Sequence, residues 1–544
     1  MQHGAMTGLD FDAWVTADPD PTHHETYDRW RLEGVPEQAA TPLRFGTAGL
    51  RGAMGPGPGR MNRVVARVTA RALGRELVAS GLAPRGVVVG HDARPHSDEY
   101  ALDSARLLRS LGVPCLLIDG PAPTPVLAHA ALSRGAAAAV MVTASHNPRD
   151  DNGYKVYWSD GAQIRSPIDR SIEARMDFEE LPTEGALAPR HDVETMSPRV
   201  AMADYLGGVI TERTTEATPR VVYTALCGVG ADTIDMAFAT AGLQPPLHVE
   251  SQRDPDGSFP GLPFPNPEEP GTLDRAIHTA DEAGLHVVLA NDPDADRLGV
   301  AVHSEDGWRI LTGDEIGVLL CDRRIAATSG DDRIVASSIV SGSMVPALCH
   351  ARGVEHISTL TGFKWIMRPA IDRSEDQWIF GYEEALGFSV SDRVRDKDGI
   401  SAAIEFVRLA AALEARGATV LDRLDELSRE LGTFTNRQVS VRGEPSAIEV
   451  ALARLRTAPP ASLGGVPVEA IDDWATRPGD QATDLLLLHL EGGGRVAIRP
   501  SGTEPKVKAY LEWRHPAGGD PAVDRAEADH ILERIATEVA ALFG

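Results

Sequence analysis

An apolar run ends on Thr143-Ala144-Ser145-His146-Asn147-Pro148, and Lys155 follows one short loop later in "NPRDDNGYK". A serine at a strand end, followed by a proline turn, presents its hydroxyl to solvent, yet an alcohol is a weak nucleophile until a base or a metal activates it. A plain serine-bearing turn has the same sequence. His146 has the chemistry of a base, but adjacent residues on a strand or turn point different ways, so the pair is weak evidence for a hydrolase triad.

In "NDPDADRLGV", Asp292, Asp294 and Asp296 alternate with other residues after an apolar strand. A looping backbone can turn such alternate carboxylates toward one hard cation, and without something positive among them they repel. Mg2+ is the expected ion. An EF-hand is excluded, because neither its glycine nor its later glutamate falls at the required spacing. Arg297, directly after the triplet, is a candidate phosphate partner.

Two further stretches carry anion-binding chemistry. In "RPSGTEPKVKAY", Arg499, Ser501, Gly502 and Thr503 supply a planar fork, two hydroxyls and a flexible backbone whose amides can converge on a phosphate. Lys506 and Lys508 add charge there or are simply solvated. A β-turn beside an incidental arginine accounts for Ser-Gly-Thr alone and less well for the whole string. "FGTAGLRGAMGPGPGRMN" does not fit a dinucleotide fingerprint, and its prolines make it an irregular loop from which Arg51 can approach a reacting phosphate.

These residues need strands to deliver them. Short β-branched runs alternate with helical spacing three times over: "RGVVVGHDARP", "PCLLIDGPAPTP" and "AAAAVMVTASHNP"; "PRVVYTALCGVG", "PPLHVESQRDPDG" and "HVVLANDPDADR"; "DRIVASSIVSGS", "VEHISTLTGFK" and "QWIFGYEEALG". A hairpin-like stretch follows each third strand. The expected fold class is α/β: three similar α/β domains with mixed sheets, plus a smaller α+β C-terminal domain, around a central cleft. The expected boundaries are 1–205, 206–315, 316–432 and 433–544. Ligands of open α/β sheets gather beyond the carboxyl ends of the strands. The three third-strand loops carry Ser145, then the aspartate triplet, then Glu383 and Glu384, so a nucleophile, a metal site and a sugar clamp are expected to share one cleft.

The bulk numbers fit. With 544 residues the chain is too long for one core at about 100 to 150 residues per domain. Lys plus Arg total 53 against 79 Asp plus Glu, a net charge of −26 that repels a nucleic-acid backbone. Any anionic substrate must therefore be held by a local basic cluster. No window approaches the roughly 18 apolar residues of a membrane span. Four scattered cysteines without metal-ligand spacing, and a start without a signal-like segment, suggest the cytoplasm.

"TASHNP", "NGYK", "DPDADR", "GYEEALGF" and "RPSGTEPK" occur in the order and rough spacing of the α-D-phosphohexomutase superfamily, which the chain resembles from about Arg44 to Tyr510. That superfamily includes phosphoglucomutase, phosphomannomutase and phosphopentomutase. "FGTAGLRG" and "RDKDGISAA" look most like its longer branch of bacterial phosphoglucomutases and phosphopentomutases. The resemblance implies reversible phosphoryl transfer between the 1 position and the terminal carbon of a sugar, with glucose phosphate as the first choice and mannose or ribose/deoxyribose phosphate as the alternatives. A sugar 1,6-bisphosphate serves as intermediate and activator. Ser145 matches the phosphoserine, and Ser145, Asp292, Asp294 and Asp296 the Mg2+ ligands. Lys155 matches a general acid/base, while Arg51, His146 and Arg297 match residues around the transferring phosphate. Glu383 matches the sugar contact, Lys364 of "TGFK" a further substrate loop, and Arg499, Ser501, Gly502 and Thr503 the distal phosphate site. A monomer or homodimer acting on a small phosphosugar, without nucleic acid or membrane, is expected.

Ala385 departs from the Glu-x-Ser of many glucose and mannose enzymes, and losing that hydroxyl favours a pentose or a broad range. A phosphatase would need one phosphate site and open water access, whereas a mutase must hold a bisphosphate away from water, and the distant "RPSGT" cradle favours the mutase. A catalytically silent sugar-phosphate-binding partner protein is the rival from another class. It would have no need of Ser145, the three aspartates and Lys155 together.

Overall fold

A computed structural model of the chain describes residues 9–46, 49–373, 377–500 and 506–543. The chain forms two compact units, Met1–Leu311 with Leu386–Arg408, and Thr312–Ala385 with Leu409–Gly544. Among the described residues, no helix is long and apolar enough to cross a membrane.

The first unit holds two mixed sheets. Across the larger, the strands run Phe45–Gly46, Gly49–Ala53, Asp151–Trp158, Ala138–Val142, Val87–His91, Cys115–Pro121 and Glu194–Met196. Val87–His91 pairs in parallel with both Ala138–Val142 and Cys115–Pro121. Helices Arg63–Ala79, Ser97–Ser110 and Thr124–Ser133 pack on this sheet, which is why Val87–His91 and Ala138–Val142 are buried at every position and read as unbroken apolar runs. Asp151–Trp158 then returns antiparallel, with Lys155 opposite Met141 and Gly153 opposite Arg51. That reversal is the hairpin-like stretch expected after the first third strand, and it brings the lysine back beside the strand that delivers Ser145.

The second sheet repeats the plan, in the order Gly307–Ile310, Gly299–Ser304, Val287–Ala290, Val222–Thr224 and Leu247–His248. Its third strand in sequence, Val287–Ala290, pairs in parallel with Val222–Thr224 and antiparallel with Gly299–Ser304. The aspartate triplet lies in the turn between those two antiparallel partners.

In the second unit, Arg333–Ser338 pairs in parallel with Glu355–Thr359 and with Gln377–Glu383. Helix Gly313–Ala327 opens on a capping box between Thr312 and Glu315, which satisfies two otherwise unpaired amides. The C-terminal part is an antiparallel sheet in the order Thr433–Arg442, Lys506–His515, Gly494–Pro500, Leu486–Leu490, Val466–Asp473 and Ser462–Leu463. Helices Pro445–Thr457 and Pro521–Ala541 contribute Leu452, Leu455, Leu532 and Ile535 to the core beneath it. This is the α+β arrangement expected of the C-terminal region.

Three N-terminal helices, Phe11–Ala17, Pro21–Glu33 and Glu37–Ala40, were not foreseen. They bury Trp14, Tyr27 and Trp30 against the core of the larger sheet, and Tyr27 Oη accepts a hydrogen bond from Gly57 in the glycine-proline loop after Arg51.

Candidate active site

Ser145 stands three residues beyond the strand Ala138–Val142 with its backbone in the left-handed region, at φ 52°. This conformation is uncommon for a residue other than glycine, and it changes where the side chain points. The Ser145 hydroxyl donates to Asp292 Oδ2 at 2.7 Å and lies 3.3 Å from His146 Nδ1. Strand alternation would have separated Ser145 from His146. The left-handed turn brings them together.

The aspartate loop is tightened by a turn in which Ala295 N–H donates to the carbonyl of Asp292 at 2.8 Å, with Ala295 at φ 57°. Gly228 leaves room for it, since a Cβ there would meet Pro293 Cα at 2.4 Å. As a result Asp292, Asp294 and Asp296 are all fully buried, and one oxygen from each lies within 4.8 Å of the others. Lys155 Nζ donates to Asp294 Oδ2 and Asp296 Oδ2, each at 2.7 Å, and Thr124 Oγ1 donates to Asp294 Oδ2 at 2.6 Å.

Burial pulls the Lys155 ammonium down, but Asp294 and Asp296 more than reverse it, so its pKa stands above the ordinary lysine value. Burial raises Asp292, reinforced by Asp296 and Asp294, to about 8. At Asp294 burial is outweighed by Lys155, Thr124 and Arg51, and the carboxyl is held well below its usual range. Each of Asp294 and Asp296 keeps a second oxygen, Oδ1, buried without a hydrogen-bond partner among the described residues. Buried carboxylate oxygens without donors are costly. Two of them, beside Asp292 and the Ser145 hydroxyl, form an all-oxygen donor set that fits a hard divalent cation.

Arg51 and Arg297 flank this cluster. Arg51 donates from Nη1 to Asn147 Oδ1 at 3.3 Å, its Nε is buried without a partner among the described residues, and burial lowers its pKa. Arg297 donates its backbone N–H to Asp292 Oδ1 at 2.9 Å and its Nη1 to Glu268 Oε2 at 3.3 Å.

In the second unit, Glu383 ends the strand Gln377–Glu383 and is 8% exposed. Its neighbour Glu384 accepts hydrogen bonds from Ser338 Oγ at 3.1 Å and Ser341 Oγ at 3.2 Å. Glu384 is thus tied into its own domain. Gly313 packs under this turn so closely that a Cβ would meet the Glu384 carbonyl oxygen at 1.8 Å. Lys364 is half-buried on the short helix Phe363–Ile366. Arg499 is half-buried on the strand Gly494–Pro500, opposite Lys508. Ser501, Gly502 and Thr503 lie outside the described residues. Of the sites expected from sequence, Ser145, His146, Lys155, Arg51, Arg297 and the three aspartates are gathered in the first unit, whereas Glu383, Lys364 and Arg499 belong to the second.

Comparison with known proteins gives this arrangement its family. Residues 42–182, 203–307 and 312–430 match "Phosphoglucomutase/phosphomannomutase, alpha/beta/alpha" domains I, II and III, and residues 467–538 match the C-terminal domain of the same family. The chain belongs to the phosphoglucomutase/phosphomannomutase family. It is 40% identical to a probable phosphomannomutase of Haemophilus influenzae, over 87% of this chain and 95% of that protein. To the phosphopentomutase of Mus musculus it is 33% identical, over 97% of this chain and 95% of the other. Its fold is that of a putative phosphomannomutase from Thermus thermophilus, with a TM-score of 0.70, 23% identity, and coverage of 92% and 99% of the two chains. As a phosphoglucomutase/phosphomannomutase family member it is an isomerase that moves a phosphoryl group within its substrate.

Some residues of this family member's site were not foreseen. Lys397 Nζ lies 3.3 Å from Asp296 Oδ2 and 3.4 Å from Asp396 Oδ1. Asp396 Oδ2 accepts from Tyr157 Oη and Gln163 Nε2, each at 2.6 Å. The signal was present in "RDKDGISAA", four charges directly before an apolar helix, where solvated residues would be the ordinary reading. Arg94 of "GHDARP" carries no such signal in the sequence.

Proposed function

We propose that the chain interconverts a sugar 1-phosphate and its terminal-carbon phosphate, with glucose 1-phosphate and glucose 6-phosphate as the first pair. Ser145 carries the phosphoryl group, and a sugar 1,6-bisphosphate is the intermediate. The observation that carries this reading is the 2.7 Å contact between the Ser145 hydroxyl and Asp292, inside a buried cluster where two lysines and Arg51 face three carboxylates.

Phosphoryl transfer asks mainly for alignment and neutralisation of charge. Mg2+, held by Asp292, Asp294, Asp296 and an oxygen on Ser145, would supply Lewis-acid neutralisation of the transferring phosphate when bound. Arg51, whose buried Nε has no partner among the described residues, is suited to donate to that phosphate, and Arg297 and His146 border the same space. Lys155, an ammonium here, gives a proton to the leaving sugar oxygen as its bond to phosphorus breaks and the phosphoryl group passes to Ser145, whose own proton goes to Asp292; in the reverse step the resulting amine takes a proton from the attacking sugar hydroxyl while Asp292 returns its proton to Ser145 Oγ. Glu383, at the end of the strand Gln377–Glu383, orients the sugar by its hydroxyls. Lys364 and the Arg499, Ser501, Gly502, Thr503 stretch hold the distal phosphate.

A pentose is the second reading, and Ala385 favours it, since it removes one hydroxyl from the sugar loop. The phosphopentomutase likeness has the same direction. Four buried free cysteines, with Cys321 and Cys349 not joined by a disulfide although their sulfurs are 4.0 Å apart, continue to suggest a cytoplasmic enzyme. Coupled turnover of glucose, mannose and ribose 1-phosphates, with catalytic sugar bisphosphate and Mg2+, tests the reading. The highest kcat/KM is expected for glucose 1-phosphate; turnover of none would leave only a binding role.

A further inference from the structure

Arg94 is 3% exposed and sits in the turn after the strand Val87–His91. Its Nη1 donates to the carbonyls of Pro148 at 2.7 Å and Asp151 at 3.0 Å, and its Nη2 to those of Ser145 at 2.5 Å and Asn147 at 2.6 Å. One guanidinium thus gathers four carbonyls of the loop that begins at Ser145. The remaining nitrogen, Nε, lies 3.3 Å from Asp92 Oδ2. Phe259, from the second α/β layer of the same unit, covers the guanidinium with its ring centroid 4.9 Å away.

The other side of Ser145 is held by the same turn. Asp92 Oδ2 accepts from Thr143 Oγ1 at 2.7 Å, and Thr143 Oγ1 accepts from the Ser145 N–H at 2.8 Å. Asp92 Oδ1 is itself fixed by the Arg94 N–H at 2.9 Å and by Ser97 Oγ at 2.8 Å. Both peptide groups flanking the Ser145 Cα are therefore tied, the carbonyl through Arg94 and the amide through Thr143. A left-handed non-glycine residue persists only where its surroundings over-determine it. Here that backbone also sets the direction in which the hydroxyl leaves.

We propose that Arg94, acting with Thr143 through Asp92, is the positioning residue that holds the backbone of Ser145 in its left-handed conformation and so aims the hydroxyl at Asp292. The inference rests on the reading of Ser145 as the phosphoryl carrier. Only a planar fork with two divergent pairs of N–H groups can serve four carbonyls at once; a lysine ammonium has three donors on one atom.

The test compares wild type with Arg94→Lys, Thr143→Val, Thr143→Ser and Ser145→Ala. Three quantities are read: kcat, KM, and the rate at which the Ser145 peptide gains phosphoryl mass from glucose 1,6-bisphosphate with Mg2+. Misplacing a reacting group by about 1 Å costs roughly 100-fold, so Arg94→Lys is expected to lose about that factor in kcat and in phosphorylation rate, with KM within about threefold. Thr143→Val should fall in the same two quantities, and Thr143→Ser, which keeps the hydroxyl, should recover them. Backbone amide exchange at 145–151 should quicken in Arg94→Lys while that of 87–91 does not. If Arg94→Lys fails to fold, the Thr143 pair decides. Arg94→Lys and Thr143→Val with wild-type kcat, or a loss confined to KM, would overturn the inference while Ser145→Ala stays inactive. Full activity of Ser145→Ala would instead overturn the reading beneath it.

Discussion

Ser145 Oγ and Asp292 Oδ2, 147 positions apart in sequence, are joined by a buried 2.7 Å hydrogen bond. Each belongs to a loop beyond the carboxyl end of a third strand, one in each mixed sheet of the first unit. Repetition of one βαβ plan thus delivers a hydroxyl from one domain and a carboxylate cluster from the next to the same place.

Lys155 bridges Asp294 and Asp296 at 2.7 Å each, so Lys155→Met removes both the proposed proton carrier and the only charge that contacts both carboxylates at that distance among the described residues. A fall in kcat of about 10² to 10⁴ is expected, the usual scale for a general acid or base. Lys155→Arg should not restore it, because a guanidinium does not release its proton. Steady-state kinetics on both variants decide the matter; an active Lys155→Arg would remove the lysine from proton transfer.

The orphaned oxygens of Asp294 and Asp296 predict a thermal response to cation. Millimolar Mg2+ should raise the melting temperature of wild type by mass action, and chelation should abolish turnover reversibly. Asp296→Asn should lose both effects. A wild-type melting curve indifferent to Mg2+ and other divalent cations would contradict this.

Ala385→Ser restores the hydroxyl that many hexose enzymes carry. A net hydrogen bond contributes about 0.5 to 1.5 kcal/mol, so the kcat/KM ratio for glucose over ribose 1-phosphate should rise by roughly 2- to 10-fold. An unchanged ratio would show that specificity is set elsewhere.

Asp314 offers a test by pH. It accepts hydrogen bonds from Gly342 N–H at 2.6 Å, Asn436 Nδ2 at 2.9 Å and Tyr382 Oη at 3.1 Å, yet burial, only partly offset by Gly342, pushes its carboxyl up to about 7. A folded pKa above the unfolded value of about 3.9 means that the stabilising contribution is complete below about pH 4 and is lost as pH rises to 7. Relative to Asp314→Asn, wild type should lose roughly 1 kcal/mol per pH unit across that window and nothing further above it. Chemical denaturation at pH 5, 6, 7 and 8 measures it, and parallel pH dependence in both proteins would contradict the assignment.

What the chain reveals in one dimension follows from how locally each feature is encoded. The strand Ala138–Val142 and the alternate aspartates are local patterns, and both stand where their spacing implied. The left-handed conformations of Ser145 and Ala295 have no glycine to announce them, so the contact of Ser145 with His146 was invisible. Lys397 and Asp396 give no sign of a site role in the sequence beyond their clustered charge, because their burial depends on Asp296 and Tyr157, distant in sequence. Arg94 is hidden for another reason: four of its partners are carbonyl oxygens, which every residue possesses. The strand Leu247–His248 is only two residues long and ends where a polar turn begins, so its run of apolar residues overstated it.

The most direct measurement is peptide mapping by mass, after the protein has been mixed with glucose 1,6-bisphosphate and then with glucose 1-phosphate. The expected result is one phosphoryl group on the peptide containing Ser145, its discharge onto glucose 1-phosphate to re-form the bisphosphate, and no turnover by Ser145→Ala. An unmodified Ser145 in a fully active protein, or full activity of Ser145→Ala, would contradict it.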